Sequence, residues 1–143
     1  MGPSDRAAVG ALVRQLGYDL TDDEVEQRIV DVVGRPDHLA LVVEFGVTVG
    51  WVHAYEVSLL EEPLTVEIGG LVVSDTARRR GTGTLLMGAT ERWALNRGIP
   101  RIRMRTNAKR KAAHRFYRAL GYREVKKSLT FAKQLEIDPT VND

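Results

Sequence analysis

Val66-Glu-Ile-Gly-Gly-Leu-Val-Val-Ser-Asp-Thr-Ala-Arg-Arg-Arg-Gly-Thr-Gly-Thr-Leu-Leu-Met87 says more about this chain than any other stretch of it. An apolar strand runs into Arg78, Arg79 and Arg80, then Gly81-Thr82-Gly83-Thr84, then an amphipathic helix. Each part has a physical use if the ligand is a pyrophosphate. Glycine lacks the Cβ that would keep an anion away from backbone N–H groups. A helix N-terminus leaves its first N–H groups unpaired and carries partial positive charge. Arginines add full charges and forked donors. A Gly-x-Gly between strand and helix is also a common tight turn, and arginine-rich loops are often only solvated. The order strand, arginines, Gly-x-Gly, helix is therefore what favours a phosphate cradle. Two familiar cradles are excluded. The P-loop needs Gly-Lys-Ser/Thr after a longer glycine loop, which does not occur. The dinucleotide fingerprint needs a third glycine where Leu86 stands.

Composition sets the frame around this motif. A chain of 143 residues suits one domain with one core, and 43% apolar with 28% charged residues is ordinary for a globular protein. No apolar run approaches the roughly 18 residues of a membrane span, and Met1-Gly-Pro-Ser-Asp5 does not read as a signal peptide. Without cysteine there is no disulfide, thiol nucleophile or thiolate metal site. His38, His53 and His114 show no ligand spacing, so no metal is expected, and a cytoplasmic location is the default. The net charge of +2 is small but polarised. Basic residues crowd into 78–80, 101–111 and 115–127, while Asp19, Asp22, Asp23, Glu24, Glu26 and Asp31 make the first part acidic. That distribution suits a phosphate-bearing ligand on the C-terminal half.

Periodicity orders the elements. Ala7, Val9, Leu12, Val13 and Leu16 recur at helical spacing, and Gly17 ends that helix. Thr21 with Glu24 predicts a capping box, opening a second helix that buries Val25, Ile29, Val32 and Val33. Residues 39–45 and 47–57 predict an antiparallel hairpin turning at Phe45-Gly46, followed by a loop at 58–63 and a strand over 64–73. The helix after Gly83 is expected to bury Leu85, Leu86, Ala89 and Trp93. Residues 99–106 alternate as a strand, 111–120 form a helix closed by Gly121, and 125–135 read as a last strand before a loose tail. The sum is one α/β (α+β) domain over residues 1–143, a mixed central sheet flanked by helices.

A second motif names a family. In Thr106-Asn-Ala-Lys-Arg-Lys-Ala-Ala-His-Arg-Phe-Tyr-Arg-Ala-Leu-Gly-Tyr122, a strand end gives Asn107 and a helix carries Phe116-Tyr117. Taken with Arg78-Arg-Arg-Gly81-Thr-Gly83, this resembles the GCN5-related N-acetyltransferase (GNAT) family, which uses acetyl-coenzyme A. The first motif matches the family's Gln/Arg-x-x-Gly-x-Gly/Ala pattern. In the second, Asn107, Arg110, Ala113, His114, Phe116, Tyr117, Leu120, Gly121 and Tyr122 stand in register, and Phe131-Ala-Lys133-Gln-Leu135 is similar to the end of many members. The resemblance covers about residues 5–135 and implies the GNAT fold. Members usually begin with a short strand, for which Met1–Asp5 is too short. The first edge strand is therefore expected to be missing, unless the start codon is misassigned or a partner chain fills the gap.

The resemblance also implies roles. Transfer of an acetyl group to an amine needs a neutral amine, a donor for the developing oxyanion and a proton for the leaving thiolate. Glu67 is the candidate base, expected on one strand face with Gly69, Leu71 and Val73; an exposed strand carboxylate is the bland alternative. Tyr117 is the candidate acid near the coenzyme A sulfur, the competing reading being simple helix packing. Leu71, Val72 and Val73 would pair with the pantetheine amides as an added strand does, and the Val73 N–H would polarise the thioester carbonyl. Arg78, Arg79, Arg80, Gly81, Thr82, Gly83 and Thr84 would hold the pyrophosphate. Asn107 resembles the family Asn that meets the pantetheine arm, and Arg110 either meets a phosphate or braces its helix. His114 is more often structural at such a position.

The acceptor would enter beside residues 18–26, 51–55 and 58–63. Asp19, Asp22, Asp23, Glu61 and Glu62 make that region acidic, which favours a cationic small-molecule or peptide amine. The runner-up function is a non-catalytic acyl-coenzyme A sensor on the same fold. Nucleic-acid binding through Arg101, Arg103, Arg105, Lys109, Arg110 and Lys111 lacks interleaved aromatics and is disfavoured. Family members often pair, and an incomplete sheet edge is compatible with a homodimer.

Overall fold

The computed structural model describes residues 1–78 and 80–140. A 3-10 turn at Pro3–Asp5 leads into α1 (Arg6–Gln15), and α2 (Asp22–Val33) follows. Then come β1 (His38–Phe45), β2 (Val47–Val57) and β3 (Thr65–Val73), a 3-10 turn at Asp75–Ala77, α3 (Thr82–Asn96), β4 (Ile102–Met104) and α4 (Lys111–Ala119). The sheet runs β1-β2-β3-β4, antiparallel except for the parallel β3/β4 pair. Among the described residues no strand precedes α1. Contacts divide the chain into two units, Met1–Asn107 with the sheet and α1 to α3, and Ala108–Asp143 with α4 and the C-terminal tail.

Local chemistry accounts for most boundaries. Thr21 Oγ1 accepts from the Glu24 N–H at 3.2 Å while Glu24 Oε2 accepts from the Thr21 N–H at 2.8 Å, closing the capping box at α2. The carboxyl of Glu24 is thereby held below its ordinary range, first by the Thr21 backbone donor. Gly46 turns the β1–β2 hairpin in the left-handed region at φ 78°.

The two sheet faces are covered by different helices. On one, Val9 of α1 and Val25 and Ile29 of α2 form a buried cluster against Val42 and Trp51. On the other, α3 lies so close to β2 that a Cβ on Gly50 would stand 3.0 Å from Thr82 Cγ2 and 3.3 Å from Leu86 Cδ1. Leu86, Met87, Thr90 and Ala94 carry that buried stripe.

Four expectations are corrected. Val33 is exposed at the last turn of α2, and Leu85 is exposed at the start of α3, one residue off the stripe set by Leu86. The strand expected over 99–106 is only Ile102–Met104, because β3 offers it pairing at Val66, Glu67 and Ile68 alone. The last expected strand, 125–135, is not a strand: residues 123–138 carry alternation but no ladder. No described helix is long and apolar enough to cross a membrane.

Candidate active site

The site is organised by an irregularity in β3. Its register against β2 pairs Ala54 with Ile68 and then His53 with Gly70, so β3 holds one extra residue, Gly69. A bulge of this kind re-aims the chain and reverses side-chain alternation beyond it. The expected shared face of Glu67, Leu71 and Val73 is therefore broken. Glu67 lies opposite Tyr55, while Leu71 and Val73 lie opposite Val52 and Gly50, which face α3.

Pairing changes at the same place. The parallel ladder to β4 ends at Ile68↔Met104, whereas β3 continues to Val73 along β2. Among the described residues, β3 past the bulge thus has a strand neighbour on one side only. The Ser74 N–H donates to the Val49 carbonyl at 2.7 Å, which sets the antiparallel alternation for this end. It turns the main-chain groups of Val72 towards β2 and those of Leu71 and Val73 towards the open side. The Val73 carbonyl there accepts from Gln15 Nε2 at 3.0 Å, and Gln15 Oε1 accepts from the Asp75 N–H at 3.2 Å. Gln15 of α1 thus clamps the end of β3, a role the sequence did not signal.

The glycines at the bulge are required by their neighbours. A Cβ on Gly69 would meet His53 Nδ1 at 3.0 Å and Tyr55 Cε1 at 3.2 Å, and one on Gly70 would meet the Trp51 ring at 2.7 Å. Trp51, His53 and Tyr55 form an aromatic row along β2 that needs this flat stretch of β3. His38 of β1 extends the row: its Nδ1 lies 2.9 Å from His53 Nε2, with ring centroids 5.2 Å apart. Burial holds the His53 imidazole below its ordinary pKa, and the charge of His38 adds to that.

Glu67 stands at the end of this row and is only 7% exposed. Tyr55 donates its hydroxyl to Oε2 at 3.3 Å, and Arg103 Nε and Arg105 Nε lie 3.5 and 3.4 Å from Oε1. These ion pairs are too long and misaligned to be hydrogen bonds, so buried Oε1 keeps unused acceptor capacity. The Tyr55 phenol is raised above its ordinary pKa, first by burial and then by the charge of Glu67. The sequence placed Glu67 but missed Tyr55, Arg103 and Arg105 as its partners, although the alternation Trp51, His53, Tyr55 was a signal.

Beyond Val73, Ser74 caps a 3-10 turn and Arg78 pairs with Asp75 at 2.8 Å. Arg79 lies outside the described residues, and Arg80 is exposed. Gly81 adopts φ 75° and starts α3, whose first intrahelical bond runs from the Leu85 N–H to the Gly81 carbonyl. The N–H groups of Thr82, Gly83 and Thr84 thus form the first turn of a helix, without intrahelical acceptors among the described residues. Thr84 is exposed; the Thr82 side chain is buried against Gly50, its hydroxyl without a described partner.

In the second unit, Arg110 is the N-cap residue of α4, and Tyr117 stacks edge-on with Phe116 and Tyr122 at centroid distances of 5.2 and 6.2 Å. Burial raises the Tyr117 phenol above its ordinary pKa, partly opposed by Arg110, so it stays a proton donor at neutral pH. Asn107 closes the first unit.

The acidic stretch is largely neutralised from within. Asp22 pairs with Arg14, Asp23 and Glu26 pair with Arg6, and Glu62 pairs with Arg103. Among the described residues, no ion pair engages Asp19 or Glu61.

The sequence model of the Acetyltransferase (GNAT) family matches residues 10–122. The chain belongs to the GNAT family. It is an acetyltransferase that takes its acetyl group from acetyl-coenzyme A. Among GNAT relatives, it is 27% identical over 107 residues to an aminoglycoside N(6')-acetyltransferase type 1 of Salmonella typhimurium strain LT2, covering 70% of this chain and 73% of the relative. Its fold is similar to that of AAC(6')-Iy in complex with the bisubstrate analogue CoA-S-monomethyl-acetylneamine, with a TM-score of 0.81, 21% identity and coverage of 94% and 95%. AAC(6')-Ih from Acinetobacter baumannii gives a TM-score of 0.80 at 20% identity, covering 95% and 96%. The residues present fit the GNAT donor: among the described residues, a strand side without a ladder partner for the pantetheine amides and a helix start without intrahelical acceptors for the pyrophosphate.

Proposed function

We propose that this protein transfers the acetyl group of acetyl-coenzyme A to a primary amine of a polycationic small molecule, by direct attack in a ternary complex. The observation that carries the reading is the one-sided pairing of β3 beyond Ile68, leading directly to the unbonded start of α3. The relatives named as aminoglycoside acetyltransferases support the acceptor class. The internally paired acids weaken the bulk-charge argument for a cationic acceptor and leave Asp19 and Glu61 as its carriers.

The amine nitrogen attacks the thioester carbonyl, the C–N bond forms, and the C–S bond breaks. A free alkyl ammonium has a pKa of about 10.4, so it must lose a proton first. Glu67 receives that proton, directly or through water at its unfilled Oε1. The Val73 N–H polarises the carbonyl oxygen, while Leu71 and Val73 bind the pantetheine amides, with Val72 setting their direction. Arg78, Arg79, Arg80, the N–H groups of Thr82, Gly83 and Thr84 and the turn at Gly81 hold the diphosphate. Asn107 binds the pantetheine arm, Arg110 braces α4 or meets a phosphate, and Tyr117 donates its proton to the departing thiolate and regains the proton that the acylated nitrogen releases. Much of the rate comes from holding the two reactants together.

We also assign residues 1–143 to one folding domain. The family match from 10 to 122 crosses the boundary between the two units and supports this. A single cooperative thermal transition by two probes is the expected signature.

Steady-state assays over aminoglycosides, polyamines, peptide amines and anionic amino acids test the function. The expected result is turnover on polycationic amines with intersecting double-reciprocal plots. Preference for anionic amines would overturn the acceptor class. Coenzyme A binding without turnover on any amine would favour a sensor.

A further inference from the structure

Gln15 is the last residue of α1, and its carboxamide reaches the end of β3. Its Nε2 donates to the Val73 carbonyl at 3.0 Å, and its Oε1 accepts from the Asp75 N–H at 3.2 Å. Those two groups flank Ser74, whose own N–H is bonded across to Val49 of β2. A residue of a parallel neighbouring strand makes the same pair of bonds, donating to the peptide before a residue and accepting from the peptide after it. One side chain therefore stands in for a strand, over the length of a single residue. It does so on the side of β3 that, among the described residues, β4 leaves uncovered.

Along the outward row of β3 past the bulge, the groups without a described partner are then the N–H and carbonyl of Leu71 and the N–H of Val73. A strand-like ligand can follow the row only that far and must leave it where Gln15 begins. Asp75 next opens the 3-10 turn that leads through Gly81 into α3. The same carboxamide thus also fixes the first peptide of the connection to the helix start. The clamp is itself firmly mounted. Val9 and Leu12 of α1 are buried, and Arg14 donates to the Leu20 carbonyl at 2.9 Å and pairs with Asp22 at 3.1 Å, tying the end of α1 to the start of α2. A group held this way sets a distance that a loop alone does not.

We propose that Gln15 is a positioning residue for the donor. Its carboxamide ends the row at Val73 and fixes the offset between that row and the N–H groups of Thr82, Gly83 and Thr84, so that one coenzyme A molecule spans both. It acts through the main chain of Val73 and Asp75 and makes no bond to the donor itself. The inference rests on the donor placement proposed above. Pantetheine and 3′-phospho-ADP, the two parts of coenzyme A, each need one subsite; the intact molecule needs both at one separation.

Calorimetry and ligand-observed NMR with Gln15→Met test it, since methionine keeps the length of the side chain and suits a helix but forms neither bond. Coenzyme A should bind about 5- to 10-fold more weakly, while pantetheine and 3′-phospho-ADP given separately stay within about twofold of the unmutated protein. Unchanged coenzyme A affinity overturns the proposal. So does an equal weakening of pantetheine, which would make Gln15 a direct contact, or of both parts, which would mean general loosening. Asp75→Pro removes the N–H at the other end of the clamp and suits the first position of the turn. Compared with Asp75→Ala, which likewise frees Arg78, it should reproduce the loss, and adding Gln15→Met should cost less than the two losses combined. Losses that multiply in full would overturn the shared clamp. In the unmutated protein the Gln15 side-chain N–H protons should still exchange slowly on saturation with coenzyme A; their release on binding overturns the proposal whether or not the variants fold. Coenzyme A that binds without protecting the amides of Leu71, Val73 and Thr82 to Thr84 would fault the donor placement, and the inference with it.

Discussion

β3 is two strands joined at Gly69. From Thr65 to Ile68 it lies between β2 and β4, its side chains are buried, and its one charge, Glu67, sits against two guanidiniums and a phenol. From Gly70 to Val73 it pairs on the β2 side alone and leads into the turn before α3. The first half spends its hydrogen bonds on the fold. The second keeps those of Leu71 and Val73 turned outward. The difference shows how one strand can bury a carboxylate among its partners and still turn main-chain groups outward: one extra residue suffices, provided the residues there have no Cβ.

The sharpest way to break this division is at the closed half. Glu67→Gln keeps the shape and the Tyr55 contact but removes the proposed proton acceptor. It is expected to lower kcat/KM by about 100-fold while coenzyme A affinity stays within a factor of two or so. A matched loss of donor affinity, measured by calorimetry, would place Glu67 in donor binding instead. At the junction, Gly70→Ala sets a Cβ against the Trp51 ring and should cost about 1–3 kcal/mol in urea unfolding. Combined with Trp51→Leu the cost should shrink, because the two changes share one space. Full additivity would mean that the ring does not dictate the glycine.

Tyr117→Phe tests the proposed proton donor to the departing thiolate. Loss of the hydroxyl should reduce kcat by roughly 10-fold, with the alkaline limb of the rate profile displaced. No change in the profile would leave Tyr117 a packing residue. The smallest effect concerns the aromatic row beside the bulge. The folded pKa of His53 lies below its ordinary 6.5, through burial and then His38. Its stabilising contribution is therefore present above pH 6.5 and is lost as pH falls through the lowered folded value. Thermal scans should show a Tm that declines below pH 6.5, and His53→Gln should flatten that decline. An unchanged slope would remove His53 as its source.

Much of the fold was legible because its signals are local. The Thr21–Glu24 box, the Gly46 turn and the Arg-Arg-Arg-Gly-Thr-Gly passage into α3 each lie within a few residues and have a mechanism. What was missed depends on distant chain. The bulge at Gly69 follows from Trp51 and His53 on the neighbouring strand, so simple alternation assigned Leu71 and Val73 to the wrong face. Arg103 and Arg105 reach Glu67 from 36 and 38 residues away, and Gln15 reaches Val73 from 58. The tail carries a strand's alternation without a strand's ladder, since pattern specifies which face is apolar and not what will cover it.

Hydrogen exchange with and without coenzyme A tests the division of β3 most directly. The account predicts slowed exchange at the amides of Leu71, Val73 and Thr82 to Thr84 on binding, with Val66 to Ile68 unchanged because they are already paired. Binding that protects the 66–68 amides and leaves 71–73 and 82–84 exchanging as before would contradict it.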